Sequence, residues 1–294
     1  MFVDKGTKHT LIAIAAVVFV VAAIFVGITV ASGVQPPQTV VISESMQHGP
    51  NPEGYGSRLG IIDTGDMIIL KSKDKVNIQS YVDGYNTGYT SFGSYGNVII
   101  YNQGTTSDPI IHRAILWLDY NGDGTWSAPS LKDYPNNLWY CLVGATMSND
   151  YESLSGTLYM LAFGSQTRID LNVLASKTPE SGFLTKGDNN PVFDQTTSIA
   201  NYRLVTEEQI KSVAWIELPW IGSFKMIFNG QLSKLDEKVP NTIPCLAAAI
   251  LLIIFILVGI SFLFDQRYYK KYKKILSDDI NAPTPQIPVE TEIK

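Results

Sequence analysis

Two long apolar segments interrupt an otherwise mixed chain. Residues 11–31, LIAIAAVVFVVAAIFVGITVA, and residues 243–264, IPCLAAAILLIIFILVGISFLF, contain no charged side chain. Each is about as long as a helix that crosses the hydrocarbon core of a bilayer, roughly 20 residues. We therefore predict two transmembrane helices. A cleaved signal peptide is the alternative for residues 11–31, although the apolar region of such a peptide normally spans about 7 to 15 residues.

Basic residues flank both apolar segments and predict their orientation. Lys5 and Lys8 precede the first segment, and DQRYYKKYKK follows the second. Because positively charged flanks tend to stay in the cytoplasm, both termini are expected there, with the middle of the chain outside the cell membrane. We therefore predict five segments: a cytoplasmic N-terminus (1–10), a membrane helix (11–31), an exterior domain (32–242), a second membrane helix (243–264) and a cytoplasmic tail (265–294).

Between the two membrane segments, apolar residues fall in short runs bounded by Gly, Asn, Asp or Pro, which is typical of β-strands. These runs are MIIL (67–70), NVIIY (97–101), PIIHRAILWLDY (109–120), LYMLAF (158–163) and VAWIEL (213–218). Tight turns are predicted at Asp83-Gly84 and at Asn121-Gly122-Asp123-Gly124. The fold class expected is a mainly β exterior domain with two transmembrane α-helices.

The composition indicates which ligands and cross-links are not expected in this chain. The chain of 294 residues has a formal net charge of −5, so it lacks the basic surface expected of a nucleic-acid-binding protein. Cys141 and Cys245 fall in different predicted segments, so no disulfide is expected. The sequence has no His/Cys cluster of the zinc-binding type and no glycine-rich phosphate loop.

The first candidate catalytic residues lie just after the first apolar segment, in SESM (43–46). A catalytic serine needs a base to take its proton, and usually a carboxylate to hold that base. Of the three histidines, His9 belongs to the predicted cytoplasmic terminus. His48 lies in a Gly/Pro-rich loop, a poor platform for a fixed base, whereas His112 lies within a predicted strand. On pattern alone, a structural role for His112 competes with a catalytic one.

Five sequence blocks occur in an order that resembles type I signal peptidases, most closely the archaeal members and the catalytic subunit of the endoplasmic-reticulum complex. The blocks are SESM (43–46), IDTGDMIIL (62–70), YGNVIIY (95–101), PIIHRAI (109–115) and LTKGDNNPVFD (184–194). The resemblance covers the first anchor and most of the exterior domain. Residues 210–222, IKSVAWIELPWIG, are similar to the family strand that follows the last block.

The resemblance implies roles for individual residues. Ser45 matches the nucleophile, and His112 matches the general base, where bacterial relatives have a lysine. Asp194 matches the carboxylate that orients the histidine, and Asp188 matches a supporting residue. Ser43 and the backbone N–H of Ser45 match the oxyanion hole. No cofactor or metal is implied.

Each block also has a structural interpretation that the sequence leaves open. Ser43 and Ser45 could end a strand, GDNNP could be an ordinary turn, and Asp66 could cap a turn before MIIL. Arg113 is expected to form a structural ion pair. Met46 could line an apolar substrate surface or pack in the core.

Several features depart from the family pattern. Glu44 stands where the family has glycine, and it could either raise the basicity of His112 or point into solvent. Inserts 47–60 and 119–182 are longer than in the family, and the second anchor is not universal. LDYNGDGTWSAPS resembles part of a calcium loop, but Ser130 stands where such a loop has glutamate, and a hairpin turn explains the same residues.

The function expected from the resemblance is a membrane-bound serine endopeptidase that removes N-terminal signal peptides from exported preproteins through an acyl-enzyme on Ser45. Its partners would be those signal peptides, membrane lipid and the protein-export machinery. Because Ser45 follows the first anchor by about 14 residues, it lies within roughly 45 Å of the bilayer. Two alternatives remain: a processing protease of the same clan with narrow specificity, and a non-enzymatic cell-surface β protein.

Overall fold

The computed structural model describes residues 5–48, 56–102 and 109–280. The chain divides into two compact units, Met1–Ile243 and Pro244–Lys294. Parts of the predicted termini and of insert 47–60 fall outside the described residues. The helices are α1 (Lys5–Ser32), α2 (Tyr81–Thr87), α3 (Leu171–Lys177), α4 (Ser223–Phe228), α5 (Leu232–Lys238) and α6 (Thr242–Ile280). The strands are β1 (Gln38–Val40), β2 (Met67–Ser72), β3 (Thr90–Ser91), β4 (Ser94–Tyr95), β5 (Val98–Tyr101), β6 (Ile110–Tyr120), β7 (Trp126–Ser127), β8 (Trp139–Val143), β9 (Thr146–Ser148), β10 (Thr157–Ala162), β11 (Ser165–Asp170), β12 (Gly182–Lys186) and β13 (Ile210–Leu218).

Both predicted membrane segments are helical. Helices α1 and α6 are long and apolar enough to cross a bilayer, judged by length and composition. Helix α6 continues to Ile280, through the basic stretch that follows its apolar part. At the end of α1, the Lys75 ammonium donates hydrogen bonds to the carbonyls of Val30 and Ala31 at 3.0 and 3.3 Å. A cation there compensates the unpaired carbonyls of the last helical turn, and it joins α1 to the segment after β2.

The main sheet is antiparallel and has the strand order β1-β2-β13-β5-β6-β12, with β7 paired to the far end of β6. Strand β5 reads VIIY and is buried at all four positions, as expected for a β-branched central strand. The register between β6 and β12 shifts between Leu184 and Thr185. At this irregularity, the Thr185 N–H donates to the side chain of Gln195 at 3.1 Å. The shift therefore orients the end of β12, where the candidate site lies.

Apolar side chains cover both faces of the main sheet because successive residues of a strand point to opposite sides. One face carries a cluster of Ile99, Tyr101, Ala114, Phe183, Val205, Ile210 and Val213. The other carries Val41, Met46, Ile62, Ile68, Leu70, Val98, Ile100 and Ala214. Met46 is therefore a core residue, 1% exposed, and its packing fixes the segment that contains both candidate serines.

The long insert 119–182 forms an ordered subdomain between β6 and β12. Its four-stranded sheet has the order β11-β10-β8-β9, and α3 follows β11. Trp126 and Trp139 are almost fully buried in the largest apolar cluster of the described residues, together with side chains of β6 and α2. The insert thus shares a core with the main sheet, which fixes its position.

The prediction of a mainly β domain between the two apolar segments is confirmed, and the five predicted runs coincide with β2, β5, β6, β10 and β13. The predicted turn at Asp83-Gly84 is wrong, because both residues lie in α2. Ser80 accepts a hydrogen bond from the Asp83 N–H while the Asp83 carboxylate accepts one from the Ser80 N–H. This reciprocal cap starts a helix instead of a turn. The turn at residues 121–124 is present, between β6 and β7.

Candidate active site

His112 and Asp194 form a buried pair. His112 lies on β6 opposite Ile99 of β5, and Asp194 begins the short 3-10 helix Asp194–Thr196 after β12. The His112 Nδ1 lies 2.7 Å from the Asp194 Oδ2, and the two residues are 4% and 1% exposed. Because an ionised carboxylate only accepts hydrogen bonds, Nδ1 carries the hydrogen of the neutral ring. The lone pair on Nε2 is then available to accept a proton.

A tyrosine supports the carboxylate. The Tyr101 hydroxyl donates to the same Asp194 Oδ2 at 2.7 Å and lies 3.0 Å from the Thr185 Oγ1. Burial acts to raise the pKa of Asp194, but the electrostatic attraction and hydrogen bond of His112 and the hydroxyls of Tyr101 and Thr185 outweigh it and hold that pKa below its ordinary value. Burial and the same carboxylate raise the pKa of Tyr101 well above its usual range, so the phenol stays a donor.

The segment 43–48, which we call the nucleophile loop after the role predicted for Ser45, is held by the turn after β12. The carbonyl of Ser45 accepts a hydrogen bond from the Asn189 N–H at 2.9 Å, and the carbonyl of Glu44 accepts one from the Asn189 side chain at 3.1 Å. Gly187 allows this approach because a Cβ there would lie 2.6 Å from the Ser45 carbonyl oxygen. Since Lys186 of β12 pairs with Arg113 of β6, the loop is anchored beside the strand that carries His112.

The two serine hydroxyls of the loop face each other. The Ser43 Oγ lies 3.2 Å from the Ser45 Oγ, with Ser43 exposed and Ser45 half-buried. Neither the Ser45 hydroxyl nor its backbone N–H bonds any other described residue. Within the described part of the chain, no hydrogen bond joins Ser45 to His112. The structure therefore contains a hydrogen-bonded histidine–carboxylate pair, while the Ser45 hydroxyl pairs with that of Ser43.

Asp188 is paired to Arg113, as expected for a structural ion pair. The guanidinium Nε and Nη2 donate to the two carboxylate oxygens at 2.9 and 2.6 Å, and both side chains are fully buried. The Nη1 also donates to the carbonyls of Ser91, Tyr95 and Gly96. These bonds fix the turn after β12 to β6, and they satisfy two charges that would be costly to bury alone.

His48, which the sequence analysis set aside as a base, is a fixed residue of the site. Its Nδ1 lies 3.1 Å from the Met46 carbonyl and 3.2 Å from the Asp188 Oδ2. Both partners are acceptors, so Nδ1 carries the hydrogen. The Nε2 is buried without a partner among the described residues. His48 therefore links the nucleophile loop to Asp188 and does not face Ser45 as a base.

Lys186 is a further residue that the sequence analysis missed, although it lies within the LTKGDNN block. It is fully buried, and its ammonium donates to the carbonyls of Gly187 and Asp188 at 3.1 and 3.2 Å. Burial lowers its pKa to about 8, although the carboxylates of Asp188 and Asp194 oppose this effect. Tyr101 and Asn189 were also missed, because a tyrosine at the end of a buried strand and an asparagine in a turn carry no distinctive signal.

Glu44 neither faces His112 nor points freely into solvent. Its carboxylate pairs with the Lys238 ammonium of α5 at 2.9 Å. Both side chains are partly exposed, so the pair contributes little to stability. It does place the nucleophile loop next to the segment that leads into α6.

The calcium-loop interpretation of residues 119–130 gains no support. The Asp119 Oδ1 accepts a hydrogen bond from the Trp117 ring nitrogen, and Asp123 accepts two from Thr125. No group of three or more metal-binding side chains is found within residues 5–48, 56–102 and 109–280. The hairpin chemistry of the turn accounts for these residues.

A second set of carboxyl groups consists of two buried aspartates and one half-buried glutamate. Asp63, Asp66 and Glu217, which we call the acidic cluster, accept backbone hydrogen bonds that join residues 58–66 to the end of β13. Asp66 thus does bridge a turn before β2, receiving the N–H groups of Asp63 and Trp220 at 2.8 and 2.9 Å. Burial raises the pKa of Asp63 to about 6, that of Glu217 to about 7 and that of Asp66 to about 8.

No protein-family model matches the chain, and a search of curated proteins finds no similar sequence.

Proposed function

We propose that this chain is a serine endopeptidase in which Ser45, His112 and Asp194 act together. The observation that carries the proposal is the buried His112–Asp194 pair, whose Nδ1 is committed to the carboxylate and whose Nε2 makes no hydrogen bond to a described residue. A neutral imidazole held this way is a general base. A loop with two serines, anchored next to the same strand, supplies the nucleophile.

The reaction follows from these positions. The Ser45 hydroxyl leaves Ser43, gives its proton to the His112 Nε2 and attacks the peptide carbonyl carbon. The resulting imidazolium is stabilised by Asp194. The Ser45 N–H, unpaired among described residues, and the Ser43 hydroxyl would donate to the oxyanion. His112 then protonates the leaving amine, and water hydrolyses the acyl-enzyme by the reverse sequence.

The two apolar helices support a membrane location for this chemistry. If α1 and α6 both cross the bilayer with their basic flanks in the cytoplasm, the β domain between them lies outside. A signal peptide keeps its apolar stretch in the bilayer and presents its cleavage point at the outer surface. A nucleophile a short chain length from α1 can reach that point, so signal peptides of exported preproteins are the substrate class we propose.

Helix α4 supports contact with lipid. Phe224, Ile227 and Phe228 are 43, 38 and 87% exposed, although they are large and apolar. A Cβ on Gly65 would touch both Ser223, at the start of α4, and Thr242, at the start of α6, at 2.6 and 3.4 Å. The start of α4 therefore lies close to Thr242. An exposed apolar face fits the interfacial region of a bilayer.

The two alternatives each have one supporting observation. The inserted sheet reaches the candidate site, as a narrow-specificity protease would require. The Ser43–Ser45 pairing leaves the serine unconnected to the base, as a non-enzymatic protein would allow.

One experiment separates all three. Purified chain in lipid vesicles is incubated with several preproteins, and the new N-termini are read by mass spectrometry. We expect several preproteins to be cut at their signal-peptide junctions, and His112→Ala to abolish cleavage. Cleavage of a single preprotein would favour the narrow protease. Absence of any cleavage, or full activity of His112→Ala, would reject the proposal.

A further inference from the structure

The hairpin between β10 and β11 ends in an unusual residue for its backbone. Phe163 and Gly164 form the tip, and both have left-handed backbone angles, with φ of 55° and 70°. Glycine adopts this conformation readily, but a bulky residue such as phenylalanine does so at a cost. Outliers of this kind persist where surrounding contacts determine them, and they concentrate at functional sites. The contacts of Phe163 are therefore informative.

The Phe163 ring lies among residues of the main sheet and the nucleophile loop. Its centroid is 4.6 Å from the Lys186 ammonium and 5.8 Å from the Arg113 guanidinium carbon. Its centroid is also 5.0 Å from that of the Tyr81 ring and 6.1 Å from that of the His48 ring. The face of an aromatic ring attracts cations, most strongly away from water. The inserted sheet thus contributes one side chain to the charged cluster that supports the site.

Lys186 transmits this contact to Ser45. Its ammonium donates to the Gly187 and Asp188 carbonyls, which begin the turn after β12. The same turn presents Asn189, whose N–H and side chain bond the carbonyls of Ser45 and Glu44. A displacement of the buried lysine would therefore displace the turn that holds the candidate nucleophile.

His48 provides a second, separate connection. Its ring lies against Phe163, and its Nδ1 contacts the Met46 carbonyl and the Asp188 carboxylate. A Cβ on Gly93 would lie 3.0 Å from the His48 Nε2, so the opposite edge of the ring is also enclosed. The nucleophile loop is thus held at two places, by the turn after β12 at Glu44 and Ser45 and by the ring contacts of His48. Phe163 contacts both Lys186, which bonds that turn, and His48.

We propose that Phe163 is a positioning residue, through which the inserted sheet fixes the nucleophile loop by way of Lys186 and His48. Phe163 does not touch the reacting atoms. Its role in catalysis rests on the proposed peptidase function, whereas its control of the loop does not. The inserted sheet then helps to hold the nucleophile loop in place, in addition to forming a surface of its own.

The test uses three variants of the full chain in lipid vesicles. Phe163→Gly removes the ring and suits the left-handed backbone, so the hairpin is expected to fold. Phe163→Tyr keeps the ring. Leu161→Ala, two residues earlier on β10 and partly exposed, is the matched control. We expect Phe163→Gly to lower kcat for preprotein cleavage about tenfold or more, with KM changed less than about threefold, because misplacing a catalytic group slows the chemical step. Phe163→Tyr and Leu161→Ala should cleave like the parent chain.

A second readout makes the outcome independent of the substrate. The chain has three histidines, so the His48 side-chain nitrogen signals can be assigned by comparison with His48→Gln in ¹⁵N-histidine spectra. Phe163→Gly should shift the His48 signals, and Phe163→Tyr should not. If the parent chain cleaves no preprotein, the peptidase proposal fails and these spectra alone decide whether Phe163 holds the loop. Parental kcat in Phe163→Gly, or an unchanged His48 signal, would overturn the proposed coupling.

Discussion

Replacing Asp194 with asparagine isolates the role of its charge. The carboxylate is 1% exposed, and its Oδ2 accepts hydrogen bonds from both His112 and Tyr101. Its Oδ1 is buried without a partner among the described residues. If the amide oxygen of the variant takes the Oδ2 position, both hydrogen bonds survive and His112 keeps its tautomer. If the amide nitrogen takes that position, it donates to Nδ1, and Nε2 loses its ability to accept a proton.

The expected loss of cleavage rate can be worked out for the first orientation, in which the amide oxygen of the variant takes the Oδ2 position. If His112 takes the serine proton as proposed, the imidazolium and the carboxylate are unit charges about 4 Å apart. At an effective dielectric constant of about 20, their attraction is about 4 kcal/mol. Loss of this stabilisation in the transition state corresponds to a rate reduction of about 10³. The second orientation would cost about 10⁴, as in other triads whose histidine is held in the wrong tautomer.

The assay is single-turnover cleavage of a preprotein by the parent chain, Asp194→Asn and the control Asp133→Asn, which changes an exposed carboxylate on the insert. We expect Asp194→Asn to be about a thousandfold slower or more, and Asp133→Asn to match the parent chain. Circular dichroism and thermal unfolding verify that both variants are folded. A folded Asp194→Asn that cleaves within about tenfold of the parent rate would refute the assigned role.

Three further predictions test the supporting structure. Tyr101→Phe removes a hydrogen bond to a charged group, worth about 1.5–3 kcal/mol, and should slow cleavage about tenfold or more; a rate equal to that of the parent chain would contradict this. Arg113→Ala leaves Asp188 buried without its cation and should lower the free energy of unfolding in urea by about 3–5 kcal/mol; a loss below about 1 kcal/mol would count against the ion pair. Between about pH 4 and pH 8, the raised pKa values of the acidic cluster make the folded chain bind more protons than the unfolded chain, so the stability from this cluster is present at low pH and is lost as pH rises through those values. Thermal unfolding at pH 5 and pH 8 should show this decline, and Asp66→Asn should flatten it; an identical slope in the variant would contradict the assignment.

The regular elements were predictable because local pattern determines them. Continuous apolar runs marked both long helices, and short β-branched runs marked β2, β5 and β6. The Asp83-Gly84 error arose because turn chemistry was read from two residues, while the reciprocal cap between Ser80 and Asp83 depends on residues outside that pair. The short helices α4 and α5 have no long repeat that a pattern could reveal.

The candidate site was only partly predictable. The family resemblance pointed to His112 and Asp194, 82 positions apart, which no local pattern could pair. Tyr101 and Phe163 looked like ordinary apolar residues of strands. Their roles come from what the folded chain places beside them, a carboxylate in one case and two cations in the other. Glu44 could not be interpreted because its partner, Lys238, lies almost at the start of α6.

Cleavage by serine variants distinguishes the Ser43 and Ser45 hydroxyls, which lie 3.2 Å apart and of which we propose only Ser45 as the nucleophile. Parent chain, Ser45→Ala and Ser43→Ala are placed in lipid vesicles with one preprotein, and the product N-terminus is quantified by mass spectrometry. We expect no product above background with Ser45→Ala. With Ser43→Ala we expect the same product to form about 10²–10³ times more slowly, because one oxyanion donor is lost. Cleavage by Ser45→Ala at the parental rate would show that Ser45 is not the nucleophile.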